Sequence, residues 1–330
     1  METVLVTGGA GYIGSNICAE LIKNNYRVVV ADSLIHGHRA AVPEECAFER
    51  LSVLDTEALA GIMSRYGVDA VVHTAAFIEA GESMRDPGSF FYNNTAGSLS
   101  VLRAMVKAGV KRIVFSSTAA VYGSPERLPI TEDMPLHPEN AYGESKLLVE
   151  RMLAWFERLH GLRAARLRFF NASGASPERG EDHRPETHLI PLVIQAAMKK
   201  RPYIAVFGSD YNTGDGTCVR DYVHILDLAS AHLLALEALK ERGGLFYNLG
   251  SGRGFSVKEI IDTVREVSRR DFEVRMMDRR PGDPDILIAS SDKIRRELGW
   301  KPKFDSIKDI VRSAWDWHSA HPDGYGDGAE

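Results

Sequence analysis

The chain has 330 residues, of which 44% are hydrophobic and 26% charged, and this composition excludes disordered, collagenous and membrane-embedded classes. A net charge of −5 provides no basic field for a phosphate backbone, so we expect no nucleic-acid partner. The three cysteines form no CxxC pair, and no apolar run approaches the roughly 18 residues that a membrane span needs. We therefore expect a cytoplasmic protein without membrane contact.

Short β-branched runs alternate with longer segments of helical period through the first half of the chain. The runs are Val4-Leu5-Val6, Val28-Val29-Val30, Ala70-Val71-Val72 and Arg112-Ile113-Val114-Phe115. This alternation predicts βαβ units. Because the runs are continuously apolar, both faces of each strand are expected to be covered. The sequence therefore predicts an α/β fold with a doubly wound parallel sheet of Rossmann type over residues 1–170.

The regular pattern ends near Phe170. Residues 171–188 and 208–217 are rich in glycine, proline, serine or charge, which is typical of loops that serve ligands. Residues 257–268 are predicted to form a helix capped by Ser256, and residues 279–285 a Pro/Gly-rich connector. We expect residues 171–330 to form a smaller C-terminal α/β substrate lobe, some segments of which return to the first domain. The glycine-rich tail after His321 is predicted to fray.

The segment after the first predicted strand carries a glycine motif. Gly9, Gly11 and Gly14 have GxGxxG spacing where the first helix begins, and Gly8 precedes them. Such glycines let a backbone turn approach a pyrophosphate, while the helix N-terminus attracts its charge. Asp32 ends the next strand, where a carboxylate binds ribose hydroxyls and repels a 2′-phosphate, so NAD is favoured over NADP. The alternatives are a turn without a ligand and an Asp32 that serves only as a turn or cap residue.

A second group of residues indicates proton transfer. Tyr142 and Lys146 are spaced i,i+4 at the start of a predicted helix, so both project from one face. A phenol has a pKa near 10, and a nearby lysine cation and nicotinium charge would favour the phenolate as a base. Thr118 follows a predicted strand at the edge where ligands bind in an open α/β sheet. Taken alone, each feature has a more common explanation. A tyrosine and a lysine at this spacing are usually a packed tyrosine and a solvated lysine, and a threonine after a strand usually belongs to a turn.

These motifs lie within longer stretches that share one family pattern: Thr7-Gly8-Gly9-Ala10-Gly11-Tyr12-Ile13-Gly14-Ser15, Gly81-Glu82-Ser83, Ser116-Ser117-Thr118-Ala119-Ala120-Val121-Tyr122-Gly123, Tyr142-Gly143-Glu144-Ser145-Lys146, Phe170-Asn171, Val219-Arg220-Asp221-Tyr222 and Arg279-Arg280-Pro281-Gly282-Asp283. With them the chain resembles the extended short-chain dehydrogenase/reductase family over nearly its whole length. The resemblance implies an NAD-dependent enzyme that reversibly epimerises a UDP-sugar, such as UDP-glucose or UDP-galactose, at C4 through a 4-keto intermediate. It also implies a homodimer.

The same resemblance implies the site residues. The residues expected to be catalytic are Tyr142, Lys146 and Thr118. The residues expected at the cofactor are Gly8, Gly11, Tyr12, Ile13, Gly14, Asp32, Ser33, Ser52, Val53, Ala75, Ala76, Asn93, Ser116, Tyr142, Lys146 and Phe169. Those expected at the UDP-sugar are Thr118, Tyr142, Asn171, His188, Leu189, Ala205, Phe207, Arg220, Arg280, Asp283 and Leu287.

Some positions depart from the family pattern. Ile78 stands where a lysine is often found, Phe169 where a tyrosine is common, and His188 where an asparagine is frequent. Leu287 occupies the position that gates the sugar pocket in the family. Its intermediate size is also compatible with an epimerase that acts on N-acetylated UDP-sugars, or on UDP-sugars with and without the N-acetyl group.

Three other interpretations of the sequence are disfavoured. A 4,6-dehydratase needs an acid pair directly after the Ser/Thr, where this chain has Ala119 and Ala120. A non-catalytic dinucleotide sensor is disfavoured by the intact Tyr142 and Lys146. His36, His38 and the histidines of residues 183–188 show no carboxylate partner at metal spacing, so we expect loop residues and no metal.

Overall fold

The computed structural model describes residues 1–279 and 283–326. Its strands are β1 (Thr3–Thr7), β2 (Arg27–Asp32), β3 (Ala47–Arg50), β4 (Ala70–His73), β5 (Arg112–Thr118), β6 (Arg163–Phe169), β7 (Asn171–Ser173), β8 (Ile204–Phe207), β9 (Val219–His224), β10 (Leu245–Leu249), β11 (Gly254–Ser256), β12 (Val274–Met277) and β13 (Ile286–Leu287). Its α-helices are α1 (Tyr12–Lys23), α2 (Thr56–Tyr66), α3 (Ala80–Ser83), α4 (Pro87–Phe90), α5 (Gly97–Ala108), α6 (Ala141–His160), α7 (Leu189–Ala197), α8 (Ile225–Ala238), α9 (Val257–Ser268), α10 (Asp292–Leu298) and α11 (Ile307–Ala320). A π-helical segment, Phe91–Ala96, joins α4 to α5.

The large sheet has seven strands in the order β3-β2-β1-β4-β5-β6-β10. Every neighbouring pair in it is parallel. The chain builds outward from β1 to β3 and then crosses back to continue on the other side through β4. The carboxyl ends of β1 and β4 therefore flank the switch point, where open α/β sheets bind their ligands. The predicted parallel sheet is confirmed.

Helices cover both faces of this sheet. Val4 and Val6 of β1 pack in one hydrophobic core with Leu21 of α1 and with α8. Leu5, which points to the opposite face, packs in a second core with Leu102 of α5 and residues of α2 and α6. Each strand is thus buried on both faces, which explains its continuous apolar sequence, and the predicted doubly wound arrangement is confirmed.

Two elements from the second half of the chain belong to the large sheet and to the helices that cover it. Strand β10 pairs with β6 at its edge, and α8 packs on α1. Helix α9 begins and ends where the sequence predicts. Ser256 Oγ accepts from Glu259 N at 3.1 Å while the Glu259 carboxylate accepts from Ser256 N at 2.6 Å, which makes a capping box.

The remaining strands form two small sheets, which together with α7, α9 and α11 are here called the second lobe. Strand β9 lies between β11 and β13 with β7 beside it, and β8 pairs with β12. Helices α7, α9 and α11 enclose a separate core that includes Val193, Ile260 and Ile310. Within the described ranges, no helix is both long and apolar enough to cross a membrane.

The predicted fraying of the tail is wrong as far as Gly326. Tyr325 stacks on His38 with ring centroids 5.0 Å apart, and its hydroxyl donates to Gly180 O at 3.1 Å. Its backbone N–H also donates to the Asp182 carboxylate at 3.1 Å. One aromatic side chain therefore anchors a segment whose glycines alone favour disorder.

Candidate functional site

The glycine turn between β1 and α1 has two kinds of glycine. A Cβ on Gly14 would lie 2.2 Å from Gly8 O, and a Cβ on Gly8 would lie 2.5 Å from Ala75 N, so the protein's own backbone excludes side chains there. A Cβ on Gly11 would meet only Gly8 O, at 3.4 Å, which is an ordinary contact. Since the protein's own packing does not require a glycine at position 11, the bare backbone there is suited to close approach of a ligand.

A cavity of about 350 Å³ extends from this turn across the carboxyl ends of the central strands. All sixteen residues expected at the cofactor line it: Gly8, Gly11, Tyr12, Ile13, Gly14, Asp32, Ser33, Ser52, Val53, Ala75, Ala76, Asn93, Ser116, Tyr142, Lys146 and Phe169. Residues from segments far apart in sequence thus meet along one wall, because the carboxyl ends of parallel strands share an edge.

Asp32 lies where β2 ends in this cavity. Its carboxylate accepts from Ala10 N at 2.9 Å and from Leu34 N at 2.8 Å. Burial raises the pKa of Asp32, and these two hydrogen bonds oppose that rise. The carboxylate is therefore fixed in orientation, as a residue that accepts from ribose hydroxyls must be.

Helix α6 positions Tyr142 and Lys146. Asn140 caps the helix by accepting from Gly143 N at 2.8 Å, and Tyr142 N donates to Ser83 Oγ at 3.0 Å. Ser83 comes from the Gly81-Glu82-Ser83 stretch that the sequence analysis singled out. The backbone at Tyr142 is therefore held both by its own helix cap and by α3.

Thr118 ends β5 beside Tyr142. A hydrogen bond with Thr118 lowers the pKa of Tyr142, but burial is the larger effect and raises that pKa to about 12. Lys146 donates from Nζ to Ser116 O at 2.9 Å, and burial lowers its pKa to about 7. The lysine cation is therefore not among the groups that set the pKa of Tyr142. Of the two charges that are expected to favour the phenolate, the nicotinium charge remains.

The residues expected at the UDP-sugar fall into two groups. Asn171 and His188 line the same cavity as Tyr142, and Leu189 lines a smaller one that shares Asn171 and His188 with it. His188 Nδ1 lies 2.8 Å from the Glu186 carboxylate. Burial lowers the pKa of His188, but Glu186 and Glu181 outweigh it and raise the pKa to about 9, so the ring is cationic at neutral pH.

The members of the second group that the structure describes do not line that cavity. Ala205 and Phe207 belong to β8, and Leu287 of β13 packs on a small core with Tyr122 and Ile130. Arg220 pairs with Asp283, which lines a separate open cavity. Arg280 lies outside the described residues.

Sequence reasoning missed several residues of the main cavity. His36, His38, Glu181, Asp182, His183 and Tyr325 all line it. The sequence offers these histidines no carboxylate partner at metal spacing, but the fold brings two carboxylates to them, because Glu79 contacts His183 and Asp182 contacts His38. Ligand atoms of His36, Glu79 and His183 even lie within 4.8 Å of one another. One signal was available, since His36 and Glu79 follow β2 and β4, whose carboxyl ends meet at the site.

Comparison with known proteins gives the family. The sequence model of the NAD dependent epimerase/dehydratase family matches residues 4–250. A Streptococcus mutans protein named UDP-glucose 4-epimerase is 50% identical over 329 residues, covering 98% of this chain and 99% of the relative.

Two solved structures are also similar. One, of UDP-glucose 4-epimerase from Brucella ovis in complex with NAD, is 43% identical with a TM-score of 0.93 and covers 96% of this chain and 98% of that one. The other, from Bifidobacterium longum in complex with NAD⁺ and UDP, is 35% identical with a TM-score of 0.92 and covers 98% and 99%. By this agreement of sequence and structure, the chain belongs to the NAD dependent epimerase/dehydratase family.

Proposed function

We propose that the chain interconverts UDP-glucose and UDP-galactose by epimerisation at C4 with bound NAD. The observation that carries the proposal is the position of Tyr142, Thr118 and Lys146 at one part of a cavity whose other wall is formed by the glycine turn and Asp32. A nicotinamide dinucleotide and a sugar hydroxyl can then meet at the tyrosine. The similar proteins named above support this choice of substrate and cofactor.

The residues at the glycine turn have the chemistry that NAD requires. Gly11 leaves its backbone open to a pyrophosphate, and the fixed Asp32 carboxylate suits the adenosine ribose. When bound, NAD supplies the group that takes hydride from C4 and returns it. Since the cofactor ends each cycle as it began, the reaction involves no net redox change.

The chain's own part in the reaction is proton transfer. As the phenolate, Tyr142 accepts the proton of the sugar O4 hydroxyl on its phenolic oxygen and later returns it, and the nicotinium charge of bound NAD would favour that phenolate against the pKa that burial raises. Thr118 is hydrogen-bonded to that phenol and can hold both oxygens in line. Lys146 lies in the same cavity with its Nζ held by Ser116 O at 2.9 Å, and in its protonated form it would add positive charge beside the reacting groups. Inversion requires the 4-keto sugar to present its other face before hydride returns.

The sugar must therefore be held by its nucleotide. We propose Asn171, His188 and Leu189, together with Ala205, Phe207, Arg220, Arg280, Asp283 and Leu287, as the residues that bind the UDP-sugar. Cationic His188 and the arginines suit a diphosphate. Dehydration is disfavoured by Ala119 and Ala120, which directly follow Thr118 and cannot protonate a leaving hydroxyl.

A direct assay tests the function. The NAD-loaded protein, incubated with UDP-galactose, should form UDP-glucose until the two sugars reach equilibrium, as measured by chromatography. UDP-N-acetylgalactosamine in a parallel reaction measures whether the protein also epimerises N-acetylated UDP-sugars. No conversion of either sugar, or loss of the 6-hydroxyl instead of epimerisation, would contradict the proposal.

We also propose a homodimer that forms through α6. Val149 and Leu153 of α6 are buried against the sheet, but Trp155 is 57% and Leu159 66% exposed on another side of the same helix. Exposed aromatic and leucine side chains of this size favour a partner surface. Light scattering at micromolar concentration should give twice the mass of one chain.

Buried thiols at Cys18 and Cys46 suit the reducing cytoplasm. We propose the cytoplasm as the compartment of the protein, and cell fractionation tests this.

A further inference from the structure

One wall of the main cavity comes from the second lobe. Residues 180–183, here called the bridging segment, all line the cavity together with the glycine turn and Asp32. The segment follows the small strand β7 in the chain and reaches the loops that follow β2 and β4. It therefore spans the cofactor side of the cavity from one lobe to the other.

The first attachment of the bridging segment is an ion pair. His183 Nε2 lies 2.5 Å from the Glu79 carboxylate, although the two residues are 104 positions apart in sequence. The His183 ring also stacks on His36, with centroids 5.0 Å apart. The side chains of His183 and Glu79 are only 11% and 14% exposed, so their contact is largely shielded from water.

The second attachment involves the neighbouring residue. His38 Nε2 lies 2.6 Å from Asp182 O and 3.6 Å from the Asp182 carboxylate. Tyr325 stacks on His38, donates from its backbone to Asp182 and from its hydroxyl to Gly180. Contacts to three segments of the chain thus fix the bridging segment.

The pKa shifts of both partners favour the charged forms of the first attachment. Burial raises the pKa of Glu79, but the hydrogen bond and charge of His183 outweigh it and bring the pKa down to about 2. Burial lowers the pKa of His183, yet Glu79 and Glu181 raise it overall. A shielded ion pair of this kind holds two segments together more firmly than an exposed one, and removing one partner chiefly speeds separation.

We propose that the bridging segment, fastened by the Glu79–His183 ion pair, retains NAD in the cavity between turnovers. This inference rests on the proposed function, in which NAD is regenerated in every cycle and release brings no advantage. A cofactor seated on the glycine turn and Asp32 would share its cavity with the bridging segment, so separation of the segment from Glu79 is the opening that its release would use.

The rate of NAD release tests the inference. The protein is loaded with radiolabelled NAD, mixed with excess unlabelled NAD, and the retained label is followed by rapid filtration with no UDP-sugar present. Glu79→Gln and His183→Asn should each speed release about tenfold, which corresponds to about 1.4 kcal/mol. Glu266→Gln is the matched control, because Glu266 forms an exposed ion pair with Lys308 away from the cavity.

The double variant separates a specific pair from general damage. Because either substitution already breaks the one contact, Glu79→Gln with His183→Asn should release NAD no more than about twofold faster than the faster single variant. Release within about threefold of the parent rate in both single variants, or a double variant whose effect is the product of the two, would overturn the inference. A parent protein that holds no NAD would instead overturn the proposed function, and the inference with it.

Discussion

Replacing Tyr142 by phenylalanine should lower the rate of UDP-galactose epimerisation by about a thousandfold. The substitution removes only the phenolic oxygen, which is the proposed acceptor for the O4 proton and the partner of Thr118. General acid–base groups contribute factors of about 10² to 10⁴, and here one group must act in both half-reactions. Turnover number measured with saturating NAD and UDP-galactose gives the effect.

The control for this variant is Tyr66→Phe. Tyr66 lies on α2 and donates its hydroxyl to Glu49 at 2.7 Å, outside the cavity, so its loss should leave turnover within about twofold of the parent. The NAD dissociation constant of Tyr142→Phe should also stay close to the parent value, because the ring remains. If Tyr142→Phe kept a tenth or more of the parent rate, another group would have to accept the proton.

Part of this site follows from the sequence by a physical rule. The glycine turn and Asp32 are recognisable because their spacing within one βαβ unit is fixed by local geometry. The position of Thr118 near the glycine turn could be predicted because parallel strands end at the same edge of a sheet. The sheet itself could be predicted because strands buried on both faces must be apolar throughout.

Other parts depend on contacts that no local pattern encodes. Glu79 and His183 pair across 104 residues and two lobes, so neither residue signals the other. The spacing of Tyr142 and Lys146 gives their shared helix face, but not that the lysine amine donates to Ser116 O. Strand β10 lies at the sheet edge only because the chain returns from the second lobe. These features are set by tertiary packing.

Two glycine substitutions, three positions apart, should have different effects on stability. Gly14→Ala places a Cβ 2.2 Å from Gly8 O, a backbone atom that cannot yield without opening the turn. We expect NAD-free Gly14→Ala to lose about 3 kcal/mol of unfolding free energy and to bind NAD poorly. Gly11→Ala meets only an ordinary contact, and φ −81°, ψ 171° at Gly11 is open to alanine. Its NAD-free stability should stay within about 1 kcal/mol of the parent.

Gly11→Ala should nevertheless weaken NAD binding about a hundredfold, because its methyl group would occupy the space through which the pyrophosphate approaches the backbone. Denaturant unfolding of the NAD-free proteins and calorimetric titration with NAD separate the two quantities. NAD binding within about threefold of the parent in Gly11→Ala would mean that the cofactor phosphates lie elsewhere. Equal losses of stability in both variants would mean that the protein's own packing requires a glycine at position 11, as it does at position 14. Only a stable variant that fails to bind NAD separates a ligand cradle from a tight turn.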